Sequence, residues 1–165
     1  MSQATTYPPS SHPNLIDVRL GTGSFSSYGV SLVDLEAGAL FTKIDTATPA
    51  PKSAYSTVQT GKDSHIELNS DLLYCNHSCD PNLVFDMSKM EVRVIDNRPL
   101  KKGDPLTFFY PSTEWDMAQT FECACGSKKC LGMISGAKHM KRDDLRRYWL
   151  NPYIEDMLQE DSVQA

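Results

Sequence analysis

The sequence predicts a mainly β fold of several small sheets, closed by a C-terminal helix, and three observations carry that reading. Short runs rich in β-branched and aromatic residues recur through the middle of the chain. Glycine or proline punctuates the gaps between them, and helical patterning is confined to the end of the sequence. A chain of 165 residues fits one such domain and can bury an adequate single core.

Taken in order, residues 1–13, with Tyr7-Pro8-Pro9-Ser10-Ser11-His12-Pro13, are polar and proline-broken and read as a disordered tail. Residues 15–20 read as the first strand, punctuated by Gly21 and Gly23, and residues 30–44 hold short apolar pieces around a turn at Glu36-Ala37-Gly38. Residues 46–53 read as a loop, since their two prolines remove ladder donors and fix φ. Two brief strands, 56–59 and 65–68, flank Gly61-Lys62-Asp63. Residues 83–85, 91–95 and 106–110 are stronger strand candidates, the last two joined by a turn at Lys101-Lys102-Gly103-Asp104. Residues 143–158 are the helix candidate, which Pro152 breaks or restarts.

A formal net charge of -5 argues against direct nucleic-acid binding, which calls for clustered Lys and Arg. The basic residues at 138–142 and 146–147 are interrupted by Asp143 and Asp144 and read as a solvated helix face. No apolar run approaches the roughly 18–20 residues of a membrane span, and the N-terminus has neither a basic nor an apolar targeting region, so no membrane partner and a nuclear or cytoplasmic location are expected.

Five cysteines in such a chain point to metal or thiol chemistry rather than disulfides. Cys123-Ala-Cys125-Gly-Ser-Lys-Lys-Cys130 crowds three thiols into one short segment, a spacing suited to tetrahedral zinc, with a redox cluster or free thiols as the alternative. A closed site needs a fourth ligand, and Cys79, Cys75, His77, His139 and His65 are the candidates.

Asn76-His77-Ser78-Cys79-Asp80-Pro81-Asn82 lies between apolar Leu72-Leu73-Tyr74 and Leu83-Val84-Phe85, and by itself reads as an Asx-type turn. Followed by Lys102-Gly103-Asp104-Pro105-Leu106-Thr107-Phe108-Phe109-Tyr110 and then Cys123-x-Cys125-Gly-x-x-x-Cys130-x-Gly132, it resembles the SET-domain methyltransferases with a post-SET zinc segment. Ser27-Tyr28-Gly29-Val30 and Leu35-Glu36-Ala37-Gly38 look like two earlier pieces of that family, so the resemblance spans residues 15–133.

It implies a SET fold with a pseudoknot over residues 76–110, divided into a tail at 1–13, a SET domain at 14–120, a post-SET segment at 121–133 and a helical extension at 134–165. Structural zinc on Cys79, Cys123, Cys125 and Cys130 is implied, as is S-adenosylmethionine held by Ser27, Tyr28, Gly29, Tyr74, Asn76 and His77 and covered by Phe121 and Leu131. Tyr110 falls at the catalytic tyrosine. Phe108 falls at the Tyr/Phe switch of the substrate channel, which implies di- or trimethylation. Cys75 remains a buried thiol.

Methyl transfer from a sulfonium is an in-line displacement, so alignment and electrostatics are what a protein contributes. A neutral amine is required, and a dry aromatic channel favours it by lowering the ammonium pKa. Ser27 replaces the first glycine of the family's Gly-x-Gly, Leu73 an arginine, and Phe109 an acid; the insert between Ile44 and Leu72 is short. Three functions follow in order: a protein-lysine methyltransferase acting on a histone or other protein or peptide, a SET enzyme acting on a small-molecule substrate, and a non-catalytic binding module.

Overall fold

Strands form where the sequence alternates, and the computed structural model, which describes residues 10–23, 26–117 and 119–164, assembles them into five small sheets. In chain order they are β1 (Ile16–Arg19), β2 (Tyr28–Ser31), β3 (Leu40–Lys43), β4 (Thr48–Ala50), β5 (Thr57–Gln59), β6 (His65–Glu67), β7 (Asn76–His77), β8 (Leu83–Asp86), β9 (Glu91–Val94), β10 (Thr107–Phe108), β11 (Phe121–Glu122) and β12 (Met133–Ile134). Two helices follow, α1 (Arg142–Leu145) and α2 (Pro152–Gln164). Neither is long and apolar enough to cross a membrane.

The sheet β3-β9-β8 carries the main core. Its inward residues Phe41, Leu83, Phe85, Val92 and Val94 pack with Ile16, Val58, Leu72, Leu100 and Leu106. A second core gathers Phe109, Ala137, Leu145, Leu150, Ile154 and Leu158. Neighbouring residues of an extended chain point to opposite sides, so Phe108 stacks on Phe85 at 4.0 Å in the first core while Phe109 stacks on Tyr148 at 3.6 Å in the second. This accounts for Phe109 at a position where an acid was expected: the face it occupies is covered by the C-terminal segment and is only 2% exposed.

Three sequence expectations are corrected. Residues 46–53 are not all loop, because β4 occupies 48–50 with Pro49 opposite Ile66. It lies at the edge of the sheet β4-β6-β5, where a residue without an N–H is tolerated. The strand expected over 106–110 shortens to β10, and the chain turns into a 3-10 turn at Tyr110–Ser112. The helix expected over 143–158 splits into α1 and α2, with Pro152 opening α2, where its fixed φ suits the first turn. Of the expected tail, residues 1–9 lie outside the described residues. Ser10 is already anchored: its hydroxyl and the His12 N–H donate to the Asp71 carboxylate, and the Asp71 N–H donates to Ser11 Oγ at 2.7 Å.

Asn151 locks α2 onto the body. Its carbonyl accepts from the N–H groups of Ile154 and Glu155, which caps the helix. Its side chain, fully buried, accepts from Met87 N–H at 2.8 Å and donates to the carbonyls of Phe85 and Ser112, each at 2.9 Å.

Candidate active site

β7 and β10 pair in parallel, Asn76 opposite Thr107 and His77 opposite Phe108. A parallel pair needs a long crossover, and the chain between them supplies β8 and β9. The crossing brings the Asn-His-Ser-Cys segment against the strand that leads into Tyr110, at the place where the pseudoknot was expected. Asn76 and Ser78 donate backbone N–H bonds to Leu106 and Phe108, so the alternation directs the His77 N–H and C=O away from β10.

His77 is the hub of the site. The Tyr110 backbone N–H donates to its Nδ1 at 3.1 Å, so the ring proton sits on Nε2, which lies 3.4 Å from Cys79 Sγ. Burial lowers its pKa to about 4, so the imidazole is neutral at physiological pH. Both ring nitrogens are therefore engaged within the chain. What His77 offers a ligand is its backbone and its ring face, around which Tyr110 and Phe121 pack edge-on at 5.3 and 5.7 Å.

The Tyr110 hydroxyl reaches the Cys75 carbonyl at 3.4 Å. Burial first, then the neighbouring Cys75 and Glu114, push its pKa up, so it acts as a neutral donor and not as a phenolate. The Phe108 ring is tilted against it at 4.8 Å. Asn76 Nδ2 donates to the Ser27 carbonyl at 3.1 Å, while Ser27 Oγ accepts the Gly21 N–H at 3.1 Å, so the serine hydroxyl is turned into its own loop. At Gly29 a Cβ would meet Ile16 Cγ2 at 3.1 Å and the Tyr74 carbonyl at 3.7 Å, which explains the glycine by close packing. Tyr28 stands at the rim opposite Arg19, and Leu73, where an arginine was expected, is exposed. Ser27, Gly29, Tyr74, Asn76, His77, Phe108, Tyr110 and Phe121 are thus gathered around one crossing. Leu131 packs with the second core, and its N–H donates to Cys79 Sγ at 3.3 Å.

The Sγ atoms of Cys79, Cys123, Cys125 and Cys130 lie within 4.8 Å of one another. A tetrahedron with zinc–sulfur bonds of about 2.3 Å sets sulfurs roughly 3.8 Å apart; Cys79 and Cys123 are 3.8 Å apart. Two backbone N–H groups, of Leu131 and Cys125, point at these sulfurs, as suits thiolates. The donor set fits structural zinc. Among the other candidate ligands, Cys75 is buried, its pKa pushed up to about 12 by burial, His77 is engaged as above, His139 pairs with Asp116 and His65 lies in β6.

The turn after Tyr110 adds residues the sequence did not single out. Glu114 accepts the Gln59 N–H at 3.0 Å, Trp115 N–H donates to Gln59 Oε1 at 2.8 Å, and the Tyr153 hydroxyl donates to the carbonyls of Gln59 and Thr113. The outer edge of β5 is closed by these groups. A buried-edge strand followed at long range by Thr113-Glu114-Trp115 leaves no periodic signal, so nothing local could have found the contact.

The chain is similar to known proteins in sequence and in fold. The family model described as SET domain matches residues 12–111. A protein of Aspergillus flavus named Methyltransferase flvH is 58% identical over 153 residues, 93% of this chain and 86% of that protein. An H3 lysine-36 specific histone-lysine N-methyltransferase of Debaryomyces hansenii is 33% identical over 82 residues, 46% of this chain and 11% of that enzyme. The crystal structure of KRYPTONITE in complex with mCHH DNA, H3(1-15) peptide and SAH superposes with a TM-score of 0.53 at 17% identity, over 72% of this chain and 29% of that one, a likeness of fold.

Proposed function

The chain belongs to the SET-domain family and is a methyltransferase, and from that premise we propose that it transfers the methyl group of S-adenosylmethionine to an amine nitrogen, that of a lysine in a protein or peptide. The observation that carries the reading is the parallel crossing of β7 and β10, which sets a neutral Tyr110 hydroxyl beside Asn76, His77 and Phe121 in one buried corner. The cofactor, when bound, supplies a methyl group on a positively charged sulfur. The chain supplies alignment. Asn76, held by the Ser27 carbonyl, and the outward backbone of His77 are the groups for the cofactor; Phe121 covers it. Tyr110, fixed through its N–H by His77, orients the acceptor, and Phe108 leaves its channel without a second hydroxyl, which favours more than one methyl group. The four cysteines hold zinc and tie residues 121–133 over the site. A nuclear or cytoplasmic setting, where thiols stay reduced, suits this cluster.

A second reading, a free small amine as acceptor, is favoured by one observation. Extended peptides commonly dock by adding a strand to a sheet edge, and the edge of β5 next to Tyr110 is occupied by Glu114 and Tyr153. The relative of A. flavus is of similar length, whereas the chain spans about a tenth of the D. hansenii histone enzyme.

The test is mass-spectrometric detection of methyl transfer from S-adenosylmethionine to lysine peptides and free amines by the zinc-loaded chain and by Tyr110→Phe. Turnover is expected to fall by about 10²-fold in the variant with cofactor affinity unchanged. Equal turnover would remove Tyr110 from the reaction.

A further inference from the structure

Glu114 sits on the turn that closes below Tyr110, its N–H donating to the Tyr110 carbonyl at 3.0 Å. It is 9% exposed. Two other buried acids in the described residues are accounted for: Asp86 pairs with Arg93 at 2.9 Å and accepts from Ser88, and Asp71 accepts from Ser10 and His12. Among the described residues, no cation pairs with Glu114. Its carboxylate accepts the Gln59 N–H, and burial pushes its pKa up to about 7. The titratable groups that face it are the phenols of Tyr110 and Tyr153, both pushed upward by burial first and also by the charge of Glu114, and both uncharged at neutral pH. An acid kept out of water beside the tyrosine of a methyl-transfer site, with no positive partner among the described residues, is a poor choice for a strand cap alone, because an amide would serve there without the desolvation penalty.

We propose that the Glu114 carboxylate is the counter-ion of the acceptor: it receives a primary alkylammonium at the Tyr110 site and takes the proton that the nitrogen must lose before it can be methylated. This rests on the reading that the acceptor is an amine. The ammonium donates one proton to the carboxylate, leaving a neutral amine beside a carboxylic acid, a neutral pair that a dry site favours over two desolvated charges. The nitrogen lone pair then forms the N–C bond as the S–C bond breaks, its electron pair staying on sulfur, and Glu114 releases its proton to water. The selectivity that follows is for cationic alkylamines over neutral acceptors, whether the amine is free or on a lysine side chain.

The experiment uses the full zinc-loaded chain with saturating S-adenosylmethionine and three probes: n-butylamine, free lysine and a lysine-containing peptide. Which of them is methylated identifies the source of the amine. Glu114→Gln keeps an acceptor for the Gln59 N–H, so cofactor affinity is expected to hold and the melting temperature to be no lower than that of the wild type, while kcat/KM falls about 10- to 100-fold, the size of a lost charged hydrogen bond. The acidic limb of the kcat/KM profile near pH 7 should vanish with it. In a second measurement on the wild type, n-butylamine binding in the presence of S-adenosylhomocysteine should tighten from pH 6 to pH 8 as the carboxyl ionises. A variant with wild-type kcat/KM at every pH, or amine binding that ignores pH over that range, overturns the counter-ion role and leaves amine methylation standing. No turnover of any amine by the wild type overturns both.

Discussion

The cysteine corner and the turn after Tyr110 flank the same crossing and are held together by opposite means. Cys123, Cys125 and Cys130 lie in a segment whose regular structure amounts to the two-residue strands β11 and β12, and what unites them is the geometry of a metal. The turn at residues 110–115 is held by the chain itself, through bonds from Gln59, Asn151 and Tyr153, all distant in sequence. A metal site compresses its information into ligand spacing; a packed turn spreads it over three elements. The first survives changes around its ligands and fails at once without its ion, and the second degrades one bond at a time.

The sharpest way to break that contrast is chelation. Removing zinc should abolish protease resistance of residues 121–133 and lower thermal stability, since zinc in small sites of this kind contributes on the order of 10 kcal/mol; a chelated protein with an unchanged melting curve would separate the cluster from the fold. On the other side, Asn151→Ala strips three buried side-chain bonds and leaves Met87 N–H and the Phe85 carbonyl short of partners, while the Ser112 carbonyl keeps the backbone N–H of residue 151. A loss of about 3–5 kcal/mol is expected by urea denaturation, with zinc content retained.

Glu114 sharpens the comparison through pH. Its folded pKa, about 7, stands above the unfolded value, so the protonated carboxyl favours the folded state fully below about pH 4 and this contribution is lost as pH rises to about 7. Glu114→Gln imitates the protonated acid and should therefore match the wild type at pH 4 and exceed it above pH 7, by about 3 kcal/mol in urea denaturation. A variant equally stable at both ends would mean that the carboxyl is solvated. The smallest effect expected is that of Ser27→Gly. With its hydroxyl turned to Gly21, removing it should change S-adenosylmethionine affinity by roughly twofold or less in calorimetric titration.

These two corners also mark what the sequence could disclose. Strands β1, β5, β6, β8 and β9 are legible because a half-buried strand needs alternation or a β-branched run, and the thiols of Cys123, Cys125 and Cys130 are legible because their ligand spacing is local, whereas Cys79 is reached only through the family resemblance. β4 is hidden by Pro49, whose tolerance depends on lying at a sheet edge. Asn151 reads as an ordinary residue before a proline, although it is one of the most buried polar groups in the molecule. Glu114 reads as one acid among many, since only the arrival of β5 and Tyr153 removes it from water. Polar groups that act through distant backbone partners leave no periodicity, and that is the part of the site that composition and motif do not reach.

The imidazole of His77 joins the two corners more tightly than their separation along the chain suggests. Its Nδ1 must keep a lone pair for the Tyr110 amide, which commits its single proton to the side facing Cys79, and a sulfur that carries negative charge on a metal rewards that commitment. The zinc ion thereby votes on the tautomer of a ring it does not touch, and through it on the seating of the tyrosine. Starved of zinc, such an enzyme would fall silent while most of its sheets were still intact.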